Sequence, residues 1–177
     1  VMLDPADCGP AVISMSQDVQ GEAYDYPEIF FEEKIHEIRR IHPDPNQIQK
    51  AADKLKQSKQ PIIISGGGVL YSEAEEEISI FAKKHNIPVT ATVMGIGCMN
   101  KDDPYYISAI GCLGEGSSNN LATDTDLALA VGTKLGDFTT GSWTNFENEN
   151  FQLLSINTSR FDTTKHRATP VVSDAKI

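Results

Sequence analysis

The chain has 177 residues, enough for one ordinary domain with its own core. Fifteen Lys and Arg against 25 Asp and Glu leave a formal net charge of −10, which argues against nucleic acid or an anionic membrane as partner, since both require a basic face. No apolar run approaches the roughly 18 residues of a membrane helix, and the opening residues, which include Asp4 and Asp7 and lack a basic start, are not those of a signal peptide.

In chain order, Gly9 to Met15 predicts one strand entered through a Gly-Pro turn, with no helix before it. Such a strand needs a sheet to join, and that sheet is expected upstream of the sequence. From Gln17 to Pro43 the character changes. Tyr24, Tyr26, Pro27, Ile29, Phe30 and Phe31 are interleaved with Glu22, Asp25, Glu28, Glu32 and Glu33. Neither a period of 2 nor one of 3.6 emerges, so the segment reads as an extended linker with aromatic anchors. It packs either on its own domain or on another domain or subunit, since exposed aromatic patches are uncommon on monomers. The spacing of His36 and His42 suits no familiar metal site.

Asp44 and Pro45 open a helix as N-cap and first helical residue. Ile48, Ala51, Ala52 and Leu55 then form one apolar stripe. Pro61 to Ser65 is a short β-branched run bounded by Pro61 and Gly66, the pattern of a central parallel strand. Gly66, Gly67 and Gly68 follow at its carboxyl end, where backbone can approach a ligand or a neighbouring segment. Ser72, with Glu75 three residues on, predicts a capping box for a helix from about Glu73 to His85. That helix buries Ala74, Ile78, Phe81 and Ala82, and its acidic start and basic end match the helix dipole.

Ile87 to Thr92 predicts the second strand, leading into a glycine loop at Gly95 and Gly97. Ile107 to Ile110 is a third, followed by a short helix over Ser117 to Thr123. Leu127 to Val131 is a fully apolar strand ending at Gly132, and the loop from Gly132 to Trp143 is long and polar. Phe151 to Asn157 and Pro170 to Val172 complete the strands, and a helix start at Asp174 to Ile177 lacks its helix. Strands alternating with helices predict an α/β fold: a doubly wound, mostly parallel Rossmann-like sheet of about six strands. In such sheets ligands sit at the carboxyl ends of strands. The candidate crevice is therefore Gly66, Gly67, Gly68, Gly132 and Asp137. Both ends look cut, as expected of a fragment of a longer enzyme.

The chemistry-bearing motifs are sparse. There is no G-x-x-x-x-G-K-[ST], no G-x-S-x-G and no H-E-x-x-H. Gly66, Gly68 and Tyr71 form an incomplete dinucleotide fingerprint, and Thr90, Ala91 and Thr92 stand where the ribose-binding acid belongs. The glycines fit a tight turn and close packing better than a nucleotide. Asp137 and Asp162 are isolated acids, better suited to loop capping than to a catalytic pair. Cys8, Cys98 and Cys112 form no C-x-x-C pair, and free thiols in a reducing cytosol are expected. Cys98 lies in a glycine loop, but no His or Asn pattern marks it as a nucleophile.

Beyond these readings, the segment from Gly9 to Val19 resembles the end of the pyrimidine-binding domain of thiamine diphosphate-dependent enzymes, with Ser16 replacing the usual proline. Ile62–Gly68 and Ile87–Thr92 resemble the first two strands of that family's central domain. Gln17–Pro27 and Val131–Trp143 are similar to the branch that hydrolyses a ring carbon–carbon bond of a cyclic diketone in inositol breakdown. The resemblance implies residues 1–20 as the last strand of a pyrimidine-binding domain, 21–43 as a linker and 44–177 as a central domain whose last helix is truncated. It implies a cytoplasmic, homo-oligomeric parent using thiamine diphosphate and Mg²⁺ to yield 5-deoxyglucuronate. The cofactor-activating glutamate and the Gly-Asp-Gly…Asn metal motif would lie in domains of the same chain outside this sequence. Gly136-Asp137-Phe138 lacks the second glycine, so no catalytic or metal residue carries over. Some relatives bind flavin at the loops matching Gly66–Gly68 and Gly132–Asp137, using an Asp-x-Asp where this chain has Ser155-Ile156-Asn157. Bound flavin is therefore not expected. The alternatives are a nucleotide- or flavin-binding module, an acetolactate synthase-like enzyme, and an interaction domain whose Tyr24–Phe31 strap binds a partner.

Overall fold

The computed structural model describes residues 1–177 and divides into two compact units, residues 1–39 and 40–177. The first unit has little regular structure: a four-residue helix α1 (Gln17–Gln20) and a 3₁₀ turn (Glu28–Phe31). Arg39 pairs with Asp4 at 2.7 Å. The strand expected over Gly9 to Met15 does not form. A strand exists only where a partner takes its backbone N–H and C=O groups, and this unit supplies none. Val12 and Ile13 are consequently exposed.

The second unit holds α2 (Pro45–Gln57), β1 (Pro61–Ser65), α3 (Gly67–Tyr71), α4 (Glu75–His85), β2 (Val89–Ala91) and β3 (Tyr106–Ala109). It continues with α5 (Gly116–Asp124), β4 (Leu127–Val131), α6 (Asp137–Thr140), β5 (Gln152–Asn157), α7 (Arg160–Thr164) and β6 (Thr169–Val172). The six strands form one parallel sheet in the order β3-β2-β1-β4-β5-β6. This is the doubly wound architecture expected from the alternation of elements.

The register explains the two layers. Successive side chains of a strand face opposite sides, so Ile63 of β1 packs with Val89, Leu129 and Leu154 under α4, while Ile62 and Ile64 pack with Ala128, Ala130 and Leu153 under α5. Both layers are closed, which is why β1 and β4 are apolar throughout. Asp44 caps α2 as expected, its carboxylate accepting from the Asn46 and Gln47 amides. The expected capping box at Ser72 does not form. A helix begins within the glycines, so Ser72 closes α3, and α4 starts after Glu73 has turned left-handed at φ 55°. The expected stripe on α2 is only partly covered: Ala51 and Leu55 meet the core, while Ile48 remains exposed.

Candidate functional site

The strand order reverses between β1 and β4, and the glycines singled out from the sequence lie at that switch point. Val131 accepts a hydrogen bond from the Gly66 amide at 2.8 Å, and the Gly132 carbonyl accepts one from the Gly68 amide at 2.9 Å. The two loops touch backbone to backbone. A Cβ on Gly66 would lie 2.3 Å from the Gly132 carbonyl oxygen, and one on Gly68 would lie 2.6 Å from Gly132 Cα. Gly132 is itself left-handed, at φ +61°. Gly67 faces Met94 instead, with its Cβ position 3.2 Å from that residue's carbonyl oxygen. The Gly66–Gly68 and Gly132 loops are thus in direct backbone contact, and the amides of Gly66, Gly68 and Val69 are already hydrogen-bonded within them.

The same device recurs along the carboxyl edge. A Cβ on Gly95 would meet the Ser65 carbonyl oxygen at 2.1 Å, and one on Gly111 the Phe138 carbonyl oxygen at 2.1 Å. The latter contact belongs to α6, so Asp137 stands with the Gly111 loop rather than with Gly66–Gly68. Asp137 is exposed, and its carbonyl accepts from the Gly141 and Ser142 amides. Thr90, placed where a ribose-binding acid would stand, is fully buried and donates to the Ile63 carbonyl at 3.1 Å. Asn157 ties the loops after β4 and β5 together: its amide donates to the Thr133 carbonyl at 3.3 Å, and its oxygen accepts from the Ser159 amide at 3.0 Å. Asn119, which sequence reasoning passed over, clamps Gly111 by accepting from its amide at 2.9 Å and donating to its carbonyl at 3.1 Å. Only the later contact reveals it; an Asn in a short helix carries no such signal.

A cleft of about 470 Å³ opens elsewhere, between α4 and residues 97–103. Lys83 crosses it to Asp103 at 2.8 Å and, with the Tyr105 amide, holds that carboxyl below the usual carboxylate range. Cys98, also on this cleft, is buried, and burial pushes its thiol upward while the neighbouring Ser65 hydroxyl opposes the shift. A thiol so placed is a poor nucleophile. No three His, Cys, Asp or Glu side chains are grouped to hold a metal ion. No helix is long and apolar enough to cross a membrane.

Residues 48–177 match the family model described as the thiamine pyrophosphate enzyme central domain. The chain belongs to this family. Over all 177 residues it is 42% identical to a protein from Clostridium tetani and 41% identical to one from Clostridium perfringens, both named 3D-(3,5/4)-trihydroxycyclohexane-1,2-dione hydrolase. A Bacillus thuringiensis protein of the same name is 40% identical over 176 residues. The chain spans about 28% of the length of these curated relatives. Among solved structures, a protein assigned as a thiamin diphosphate-dependent enzyme, isolated from Mycobacterium smegmatis, matches with a TM-score of 0.63 at 20% identity. That match covers 81% of this chain and 28% of the other, and it establishes the fold. The residues of this central domain do not by themselves fit thiamine diphosphate. The turns at Gly66, Gly68, Gly95, Gly111 and Gly132 leave no cradle for a diphosphate, because neighbouring backbone already stands where a Cβ would go, and no carboxylate cluster is placed for a metal.

Proposed function

We propose that this chain is the central, non-catalytic domain of a thiamine diphosphate-dependent hydrolase acting on 3D-(3,5/4)-trihydroxycyclohexane-1,2-dione. The parent adds water across a ring carbon–carbon bond and yields 5-deoxyglucuronate. It uses thiamine diphosphate and Mg²⁺ held by its other domains, and it is cytoplasmic and homo-oligomeric. The observation that carries this reading is an overall identity of 42% across an aligned span that takes in the whole chain, residues 1–39 included, to a relative of that name.

The domain's own part is to space and hold its neighbours. Two features support this. Glycine contacts lock the loops at the carboxyl edge to one another. The loops and short helices that follow the strands expose Tyr71, Met94, Leu113, Phe138 and Phe161, and exposed apolar residues of this kind suit contact with protein more than with a phosphate. Replacing the matching segment of the Clostridium tetani relative with residues 1–177 tests the reading. The chimera is expected to hydrolyse the dione with cofactor and Mg²⁺ present, while residues 1–177 alone give no turnover. A folded chimera that is inactive, or turnover by the chain alone, refutes it.

A further inference from the structure

Residues 1–39 hold nine carboxylates against two basic side chains, Lys34 and Arg39, a net of −7 of the chain's −10. Within this acidic unit lies an exposed aromatic cluster. Tyr26 contacts Tyr24, Phe30 and Phe31 at ring-centre distances of 5.3, 4.8 and 6.3 Å, and Phe30 meets Phe31 at 5.2 Å. Tyr24 is 72% exposed, Tyr26 55%, Phe30 65% and Phe31 72%, with Ile29 beside them at 71%. The 3₁₀ turn fixes their spacing through the Phe30 amide, which donates to the Pro27 carbonyl at 2.9 Å. Rings already assembled lose little freedom on binding, which favours a docking element over a random exposed tail.

We propose that the Tyr24–Phe31 strap docks into an apolar groove with a basic rim, carried by another part of the parent polypeptide. This rests on the reading that the chain is one part of a longer hydrolase. The charge selects the partner. Glu22, Asp25, Glu28, Glu32 and Glu33 flank the rings, so the surface that receives them must supply Lys or Arg. Nucleic acid and anionic lipid are repelled, and a second copy of this chain brings the same surplus of carboxylates. The length of the relatives, of which this chain is 28%, leaves ample polypeptide to provide the groove.

Amide hydrogen exchange on the Clostridium tetani chimera tests this. Residues 24–33 should exchange at least about tenfold more slowly in the chimera than in the isolated chain. The Phe30→Ser/Phe31→Ser pair should abolish that protection while amides of β1 and β4 stay protected. Glu28→Lys, Glu32→Lys and Glu33→Lys together should weaken it, as should a rise from 50 mM to about 0.5 M salt. An active chimera whose strap exchanges as fast as in the isolated chain overturns the docking alone; a protected strap in an inactive chimera refutes the substrate reading alone. Protection indifferent to charge reversal and salt overturns the basic rim. Should the chimera not fold, tyrosine fluorescence of the isolated chain with a Leu-Lys alternating peptide provides the second measurement. Binding weakened about tenfold or more by the Phe30→Ser/Phe31→Ser pair supports the inference; equal binding of oligolysine, or no loss in the variant, overturns it.

Discussion

An alanine methyl at Gly66, Gly68 or Gly132 would fall within 2.3–2.6 Å of backbone atoms in the opposing loop. Backbone cannot swing aside as a long side chain can. Gly66→Ala, Gly68→Ala and Gly132→Ala should each lose about 1–3 kcal/mol in urea unfolding. Gly116, at the start of α5, has nothing within 4 Å of its Cβ position, so Gly116→Ala should be neutral or gain about 0.4–1 kcal/mol. Glycines kept only for a ligand would show no such contrast. At the amino end of the sheet, Asp126 gathers the Ser58 hydroxyl and the Lys59 and Gln60 amides. Burial works to raise its pKa, but these bonds outweigh it and hold the carboxyl below its ordinary 3.8. A lowered folded-state pKa gives stability that is present above the unfolded value and lost as pH falls through the folded one. Asp126→Asn should therefore cost about 1–3 kcal/mol at neutral pH. In unfolding curves taken at successively lower pH, starting below about 4, wild type should converge on the variant; a gap that persists at pH 2 would contradict this.

Among the elements, α2 rests most plainly on a local signal. It has no fully buried side chain, so its cap and a few tertiary contacts matter more than its core burial. Asp44→Ala leaves the Asn46 and Gln47 amides without their acceptor and should cost about 1 kcal/mol by thermal or urea unfolding. The bond from the Val172 amide to Gln47, at 2.9 Å, joins the same helix to β6 and should survive that change. The α3–α4 corner shows where local reading stops. Three glycines suggested a loop and Ser72 a helix start, yet the chain turns helical at Gly67 and breaks at Glu73. Intrinsic preference yielded there to contact with the β4 loop.

For the molecule as a whole, every strand lies in residues 40–177, and so do both apolar layers. Arg40 begins that unit and donates to the Ser72 carbonyl at 2.8 Å and to Asp174 at 2.9 Å. A version starting at Arg40 keeps these bonds. Its melting temperature should stay within about 4 °C of that of residues 1–177, measured by circular dichroism; a loss of cooperative melting would show that the first unit carries part of the core. The contrast in charge between the units argues the same division, with an acidic, aromatic strap on one side and a nearly balanced sheet domain on the other.

Much of the fold was legible locally. The Pro61–Ser65 and Leu127–Val131 runs announced buried parallel strands because apolar side chains on both faces require cover on both. Asp44-Pro45 announced a helix start through donors that need acceptors. The strand expected at Gly9 to Met15 was read from the same kind of pattern and stays unpaired within residues 1–177, because pairing needs a second strand, which that reading placed upstream. The glycines were found from sequence, but not what they face. Whether Gly66 and Gly68 open toward a ligand or close on Gly132 depends on two loops far apart in the chain being brought to one switch point. That distance of a few ångströms is a property of the assembled sheet, so only the tertiary structure decided it.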